Sequence, residues 1–378
     1  MPFKILSLDG GGIRGAISAR ILQEVEQQVW EVAKQPLHEY FDMIAGTSTG
    51  SILAAGIAIG KSSEELLDLY RKKGQEIFPY QKLWSAKRLK LLLKYGLSAP
   101  KYSHDGLIEA LKEQFRNPDG SDIKISEIKH PFLLIPAYDT LHRNTTFFTN
   151  YHPELGLRWY DDLPLWQICV SSSSAPTFFP GYKLEWTPQT IAEGTETWRF
   201  PHVDGGVAAN NPTLCAISQA LKQKHSPLEN ISVLSIGTGE TTKPFTIEQI
   251  EAWGLLDWAR RIVPVFMGGQ SEIDSTICQY IMGGLESQRY LRLQFELNDI
   301  FGEPKNKNNP RPLLPPDKRV NKYTKKKVSE AIDDATKKNI EQLISTAEAF
   351  IEKGYTYETC YDQGPKVKDA IKNFIETN

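Results

Sequence analysis

Phe41-Asp42-Met43-Ile44-Ala45-Gly46-Thr47-Ser48-Thr49-Gly50-Ser51-Ile52-Leu53-Ala54-Ala55-Gly56-Ile57-Ala58-Ile59 is the stretch whose reading decides the fold. From Met43 to Gly60 it runs 18 residues without a charge, long enough to be tested as a membrane span. Gly46, Thr47, Ser48, Thr49, Gly50 and Ser51 interrupt it. It therefore reads as a buried strand (Phe41–Ala45), a tight turn and a buried helix (Ser51–Ile59), and no transmembrane segment is expected. The turn fits G-x-S-x-G between a strand and a helix, the setting of a nucleophile elbow. A sharp turn there lifts the Ser48 hydroxyl out of the sheet edge, and the glycines allow close backbone approach. The helix N-terminus behind it offers amide hydrogens and a positive dipole end to an oxyanion. A plain Gly/Ser/Thr turn with no chemistry has the same local sequence.

Working outward, Lys4–Leu8 is a β-prone run and Ala16–Val32 carries apolar residues at a helical period. Phe132–Ala137, Thr145–Thr149 and Ile231–Ile236 read as strands; Glu64–Gln75, Gly106–Phe115 and Thr213–Lys222 read as helices. This alternation indicates an α/β fold with a mostly parallel sheet. Gly302–Lys318 holds five prolines and reads as a loop. Thr324–Lys353 regains a helical period through Val328, Ile332 and Ala335, and the aromatics of Ile250–Phe266, including Trp253 and Trp258, read as core.

Asp9-Gly10-Gly11-Gly12-Ile13-Arg14-Gly15 also follows a strand and opens a helix. Gly10, Gly12 and Gly15 match the dinucleotide fingerprint G-x-G-x-x-G, but no acidic residue ends a second strand about twenty residues on. The other reading is an oxyanion hole, in which consecutive glycines turn N–H groups toward one point and Arg14 braces the loop or adds charge. Asp204-Gly205-Gly206 closes a third candidate strand end, where an isolated Asp-Gly-Gly is ordinarily a turn. A serine nucleophile normally takes histidine as its base. In the order serine, acid, histidine only His225 follows Asp204, in a polar turn, which disfavours a Ser–His–Asp triad.

The chain has 378 residues, 40% hydrophobic and 24% charged, with a formal net charge of −2. Such a length buries roughly 75% of the unfolded surface without disulfides or metal. Near-neutral charge argues against a nucleic-acid binder. Cys169, Cys215, Cys278 and Cys360 lack zinc-ligand or redox spacing and read as buried thiols. The N-terminus reaches Asp9 and a glycine run too early for a signal peptide, so a cytoplasmic location is expected.

Together the glycine loop, the G-x-S-x-G and the distal D-G-G resemble the patatin-like phospholipase family. Leu6-Ser7-Leu8, Ser174-Ala175-Pro176-Thr177-Phe178-Phe179-Pro180, Val207–Pro212, Ser235-Ile236-Gly237-Thr238-Gly239 and Ile332-Asp333-Asp334-Ala335 resemble it too. The resemblance runs from about residue 4 to residue 350. It implies a three-layer α/β/α patatin-like fold, with a catalytic domain over 4–350, the 302–318 loop inside it and a C-terminal extension over 351–378. Carried over by position, Ser48 is the nucleophile of a Ser–Asp dyad with Asp204, and no histidine or cofactor takes part. Gly10, Gly11, Gly12 and Arg14 match the oxyanion motif, Gly46, Thr47, Thr49 and Gly50 the elbow, and Gly205 and Gly206 the acid motif. The implied activity is hydrolysis of fatty-acyl esters of membrane lipids. Acyl transfer by the same dyad, or a catalytically silent acyl- or nucleotide-binding module, are the alternatives.

The charge balance hides two basic runs. Lys82–Lys101 contributes +6 among leucines and aromatics, and Lys305–Lys327 contributes +8, leaving −16 on the rest. A basic amphipathic helix at 82–101 is expected either to pack its leucines inward or to lie on an anionic membrane. The second run reads as a solvated loop. No motif requires a metal, a nucleic acid or an obligate protein partner.

Overall fold

The computed structural model describes residues 2–79, 91–94, 96, 99–151, 158–187, 196–242, 244–285, 287–302, 311–358 and 362–378. One sheet contains β1 (Phe3–Leu8), β2 (Met43–Gly46), β3 (Phe132–Asp139), β4 (Asn144–Thr149), β5 (Tyr182–Trp186), β6 (Trp198–Asp204), β7 (Ile231–Ile236) and β8 (Tyr290–Leu293). Its order is β5-β6-β3-β2-β1-β7-β8, with β4 also on β3. The run β3-β2-β1-β7-β8 is parallel, and β4, β5 and β6 join antiparallel. Among the described residues the helices of eight residues or more are α1 (Gly15–Ala33), α2 (Thr49–Ala58), α3 (Ser63–Ile77), α4 (Asp105–Gln114), α5 (Leu165–Ser172), α6 (Thr213–Lys222), α7 (Leu255–Ile281), α8 (Lys337–Lys353) and α9 (Val367–Thr377).

Strand β1 shows why the sheet is sandwiched. Leu6 and Leu8 point into one hydrophobic cluster and Ile5 into another, so both faces are apolar, as a parallel sheet buried on both sides requires. The larger cluster gathers α1–α5, α8 and α9 on one face; α6 and the C-terminal end of α7 cover the other. This is the expected three-layer α/β/α architecture.

The register around β3 positions the site. Strand β4 pairs with Leu134–Asp139, β2 with Phe132–Leu134 and β6 with Ala137–Asp139. A strand has only two edges, so β2 and β6 share the edge opposite β4. They run toward each other along it, and their C-terminal ends, Gly46 and Asp204, meet beside Pro136. A proline there leaves no backbone N–H unpaired at the gap.

Most expected elements recur with shifted ends. The elbow strand is Met43–Gly46, and its helix already begins at Thr49. Three expectations fail. The helix expected over Thr324–Lys353 starts only at Lys337, where the Thr336 side chain caps it. Upstream the backbone is committed elsewhere: Val328 N–H donates to Asn298 Oδ1, and Ile332 O accepts from Ile13 N–H. Trp258 and Phe266 are exposed rather than core, because only the inner face of α7 meets the protein. Residues 351–378 are no mere appendage: Val367, Ile371 and Phe374 of α9 enter the main core.

The basic run Lys82–Lys101 lies largely outside the described residues; within it Leu91 is buried and Leu93 exposed. In the second run Arg311 pairs with Asp299 and Lys322 with Glu358. Cys169 and Cys278 are buried and Cys215 is half-buried, all as free thiols, whereas Cys360 lies outside the described residues. Among the described residues no helix is long and apolar enough to cross a membrane.

Candidate active site

Ser48 sits between β2 and α2 with φ 54° and ψ −121°, a left-handed conformation that a residue with a Cβ holds only at a cost on the order of 1–3 kcal/mol. The surroundings hold it there. Its N–H donates to Ser172 Oγ (3.0 Å), and its carbonyl accepts from Ser51 Oγ (2.6 Å). Thr47 ties the turn to β1 through Leu8 O (3.1 Å), and its hydroxyl donates to Ala209 O (2.7 Å). The Thr49 hydroxyl meets Tyr70 OH at 2.5 Å. Gly50 must be glycine, since a Cβ would stand 2.2 Å from Leu8 O. Gly46 ends β2 opposite Leu8.

Across the gap beside Pro136, Ser48 Oγ donates to Asp204 Oδ2 at 2.8 Å. The other carboxyl oxygen accepts Gly206 N–H at 2.7 Å, and Gly205 N–H donates to Ser172 O at 3.1 Å. Burial pushes the Asp204 carboxyl up to about 7, against the lowering effect of the Gly206 and Ser48 hydrogen bonds. A carboxylate raised to that range is a far better proton acceptor than one near 4.

The glycine loop after β1 stands beside the serine. Gly10 N–H donates to Asn210 O and Arg14 N–H to Gly11 O, so neither amide is free for a ligand. Gly11 and Gly12 N–H find no protein acceptor among the described residues, and both residues line the same cavity as Ser48. Gly12 has φ +59°, and a Cβ on it would lie 2.2 Å from Ile332 O. The late Ile332–Ala335 motif thus acts as a floor under the loop. Thr238 Oγ1 donates to Gly10 O from the loop after β7. Arg292 forks both carboxyl oxygens of Asp9. Arg14 is a mostly buried cavity-lining residue with Nη1 on Thr241 Oγ1 at 2.9 Å, and burial lowers its pKa to about 10 despite the attraction of Glu330, so it stays charged at neutral pH. It braces the loop rather than offering its backbone amide.

These groups open on a cavity of about 780 Å³ at the carboxyl ends of the strands, the usual ligand position in such sheets. Its lining is mainly apolar, with Ile52, Ile77, Phe78, Leu107 and Phe179, and Asn210, Thr241, Ser271 and Gln294 are among its polar groups. No histidine is among the residues lining it. His225 stacks on Phe3 and Phe132, at the opposite end of the strands. Among the described residues no group of three or more His, Cys, Asp or Glu is placed to hold a metal. The arrangement can deprotonate a serine hydroxyl and receive an oxyanion. All three sequence motifs converge here. Ser172 was not foreseen: it lies in a run of four serines, and nothing local distinguishes it.

The sequence model described as patatin-like phospholipase matches residues 6–217, more than half of the chain. Patatin-like protein 2 of Oryza sativa subsp. indica is 28% identical over 92% of this chain and 84% of its own length. Patatin-like protein 2 of Arabidopsis thaliana is 30% identical over 77% of this chain and 75% of its own. Among solved structures, human GIVD cytosolic phospholipase A2 aligns with all of this chain and 61% of its own, at 11% identity and a TM-score of 0.43. With matching motifs gathered at one cavity and a family match over most of the fold's central strands, the chain belongs to the patatin-like phospholipase family.

Proposed function

We propose that the protein is a lipid acyl hydrolase of the phospholipase A or lysophospholipase type, working through a Ser48–Asp204 dyad without histidine. The observation that carries this reading is the 2.8 Å Ser48–Asp204 hydrogen bond inside a mainly apolar cavity. Ser48 Oγ attacks the ester carbonyl carbon while its proton passes to Asp204. Gly11 and Gly12 N–H then hold the oxyanion, helped by the N-terminus of α2. Collapse of the tetrahedral intermediate breaks the ester C–O bond, and Asp204 returns the proton to the leaving alcohol. Water, deprotonated by Asp204, attacks the acyl-serine; fatty acid leaves and Ser48 regains its proton. The apolar lining suits an acyl chain and its polar groups a head group. A peripheral position at a membrane accords with such a substrate.

The test is fatty-acid release from a lipid panel by the wild type, Ser48→Ala and Asp204→Asn. Each substitution is expected to lower turnover roughly a thousandfold or more with the fold intact. Near-wild-type turnover in either variant overturns the dyad.

A further inference from the structure

We propose that the outer face of α7 is the surface on which the protein seats itself against a zwitterionic, phosphatidylcholine-type bilayer, delivering lipid to the cavity. Leu255, Trp258, Phe266, Ile273, Ile277 and Tyr280 recur at helical intervals and form one stripe along 27 residues. The stripe faces solvent: Leu255 is 91% exposed, Phe266 66%, Ile273 57% and Tyr280 76%. The opposite face is occupied, with Met267, Ser271 and Ser275 lining the cavity and Cys278 in the core.

Three observations identify the occupant. The stripe is continuous with the cavity, since Phe245 and Val265 line it while remaining part-exposed. An apolar path therefore leads from the surface toward Ser48. At the N-terminal end Phe245, Trp253 and Trp258 stack edge to face at 4.8 and 4.9 Å, and tryptophans are amphipathic aromatics favoured at headgroup level. Charge then selects the lipid. Residues 247–281 carry Glu248, Glu251, Asp257, Glu272 and Asp274 against Arg260 and Arg261, with Asp257 paired to Arg261 and Glu272 lining the cavity, so the segment offers an anionic surface no basic patch. A second copy of the chain fits less well. One helix face about 40 Å long and ~10 Å wide offers roughly 400 Å², half of the ~800 Å² per partner of a stable dimer. The helix lies on the bilayer, not across it.

The inference rests on the lipid-ester reading, and its test separates the two. Full-length protein is sedimented with phosphatidylcholine vesicles and compared with the double variant Phe266→Asp, Ile273→Asp, with circular dichroism as the fold control. Vesicle partitioning of the variant should fall roughly tenfold or more, and wild-type binding should hardly respond to salt. Turnover of a water-soluble short-chain ester should stay at the wild-type rate in the variant. Equal sedimentation of the two proteins overturns the proposal; so does a wild-type dimer, seen by light scattering, that the substitutions convert to monomer. A wild type that binds vesicles through the stripe yet cleaves no ester sinks the hydrolase reading and leaves this one standing.

Discussion

Ser48 and Asp204 are 156 positions apart in the chain, yet share a hydrogen bond in a site that excludes enough water to raise the carboxyl to about 7. With no histidine to titrate, this one group sets the acid limb. The value of kcat/KM should fall about tenfold per pH unit below roughly 7, with a single proton taken up; a flat profile down to pH 5 would exclude Asp204 as the base. The same shift has a consequence for stability. The folded-state pKa lies above the unfolded value of 3.8, so the group's contribution is full below about 4 and is lost as the pH rises through about 7. Asp204→Asn removes the cost of burying that charge. Calorimetry should therefore show the variant gaining in Tm relative to wild type between pH 4 and pH 8. The Ser48 and Asp204 positions themselves were readable, because each sits in a short motif with glycines at the places where the backbone needs them.

The elements show a different balance. Ser172, the last residue of α5, accepts the Ser48 N–H and donates its own hydroxyl to Pro136 O at 2.6 Å. It fastens the strained elbow to the strand that lies between the ends carrying Ser48 and Asp204. Ser172→Ala leaves a buried N–H unpaired, at about 1–3 kcal/mol. We expect kcat to fall roughly 10–100-fold with KM little changed; a shift in KM alone, measured on the same ester, would contradict a positioning role. Nothing in four consecutive serines foretells which one serves. Helix α8 teaches the same from the other side. Val328, Ile332 and Ala335 keep a helical period, yet Val328 N–H and Ile332 O are taken by Asn298 and the glycine loop, so tertiary hydrogen bonds override periodicity.

Taken as a whole molecule, the fold extends past the family match that ends at residue 217. The strands β7 and β8 and the helices α7–α9 complete the sheet and its covering layers. Phe374 of α9 is buried against the same core as α1, and Tyr40 OH donates to Ile375 O. Phe374→Ala should lower the unfolding free energy by about 3–5 kcal/mol in urea titration, whereas a loosely attached tail would cost almost nothing.

What the chain determined by itself is what has a local cause. A charge-free run broken by glycines is a strand, a turn and a helix; two hydrophobic faces on β1 demand helices on both sides; glycines mark the turns that steric crowding allows no other residue to make. What only the tertiary structure decided depends on register between distant segments. It placed β2 and β6 nose to nose on one edge of β3, left the Gly11 and Gly12 amides, unlike that of Gly10, without a protein acceptor among the described residues, enlisted Ser172, and turned an apolar stripe of α7 outward. A hydrophobic period says that a helix has an apolar face, but not whether protein covers it. That depends on which neighbours the fold brings alongside, and over the outer face of α7 it brings none among the described residues.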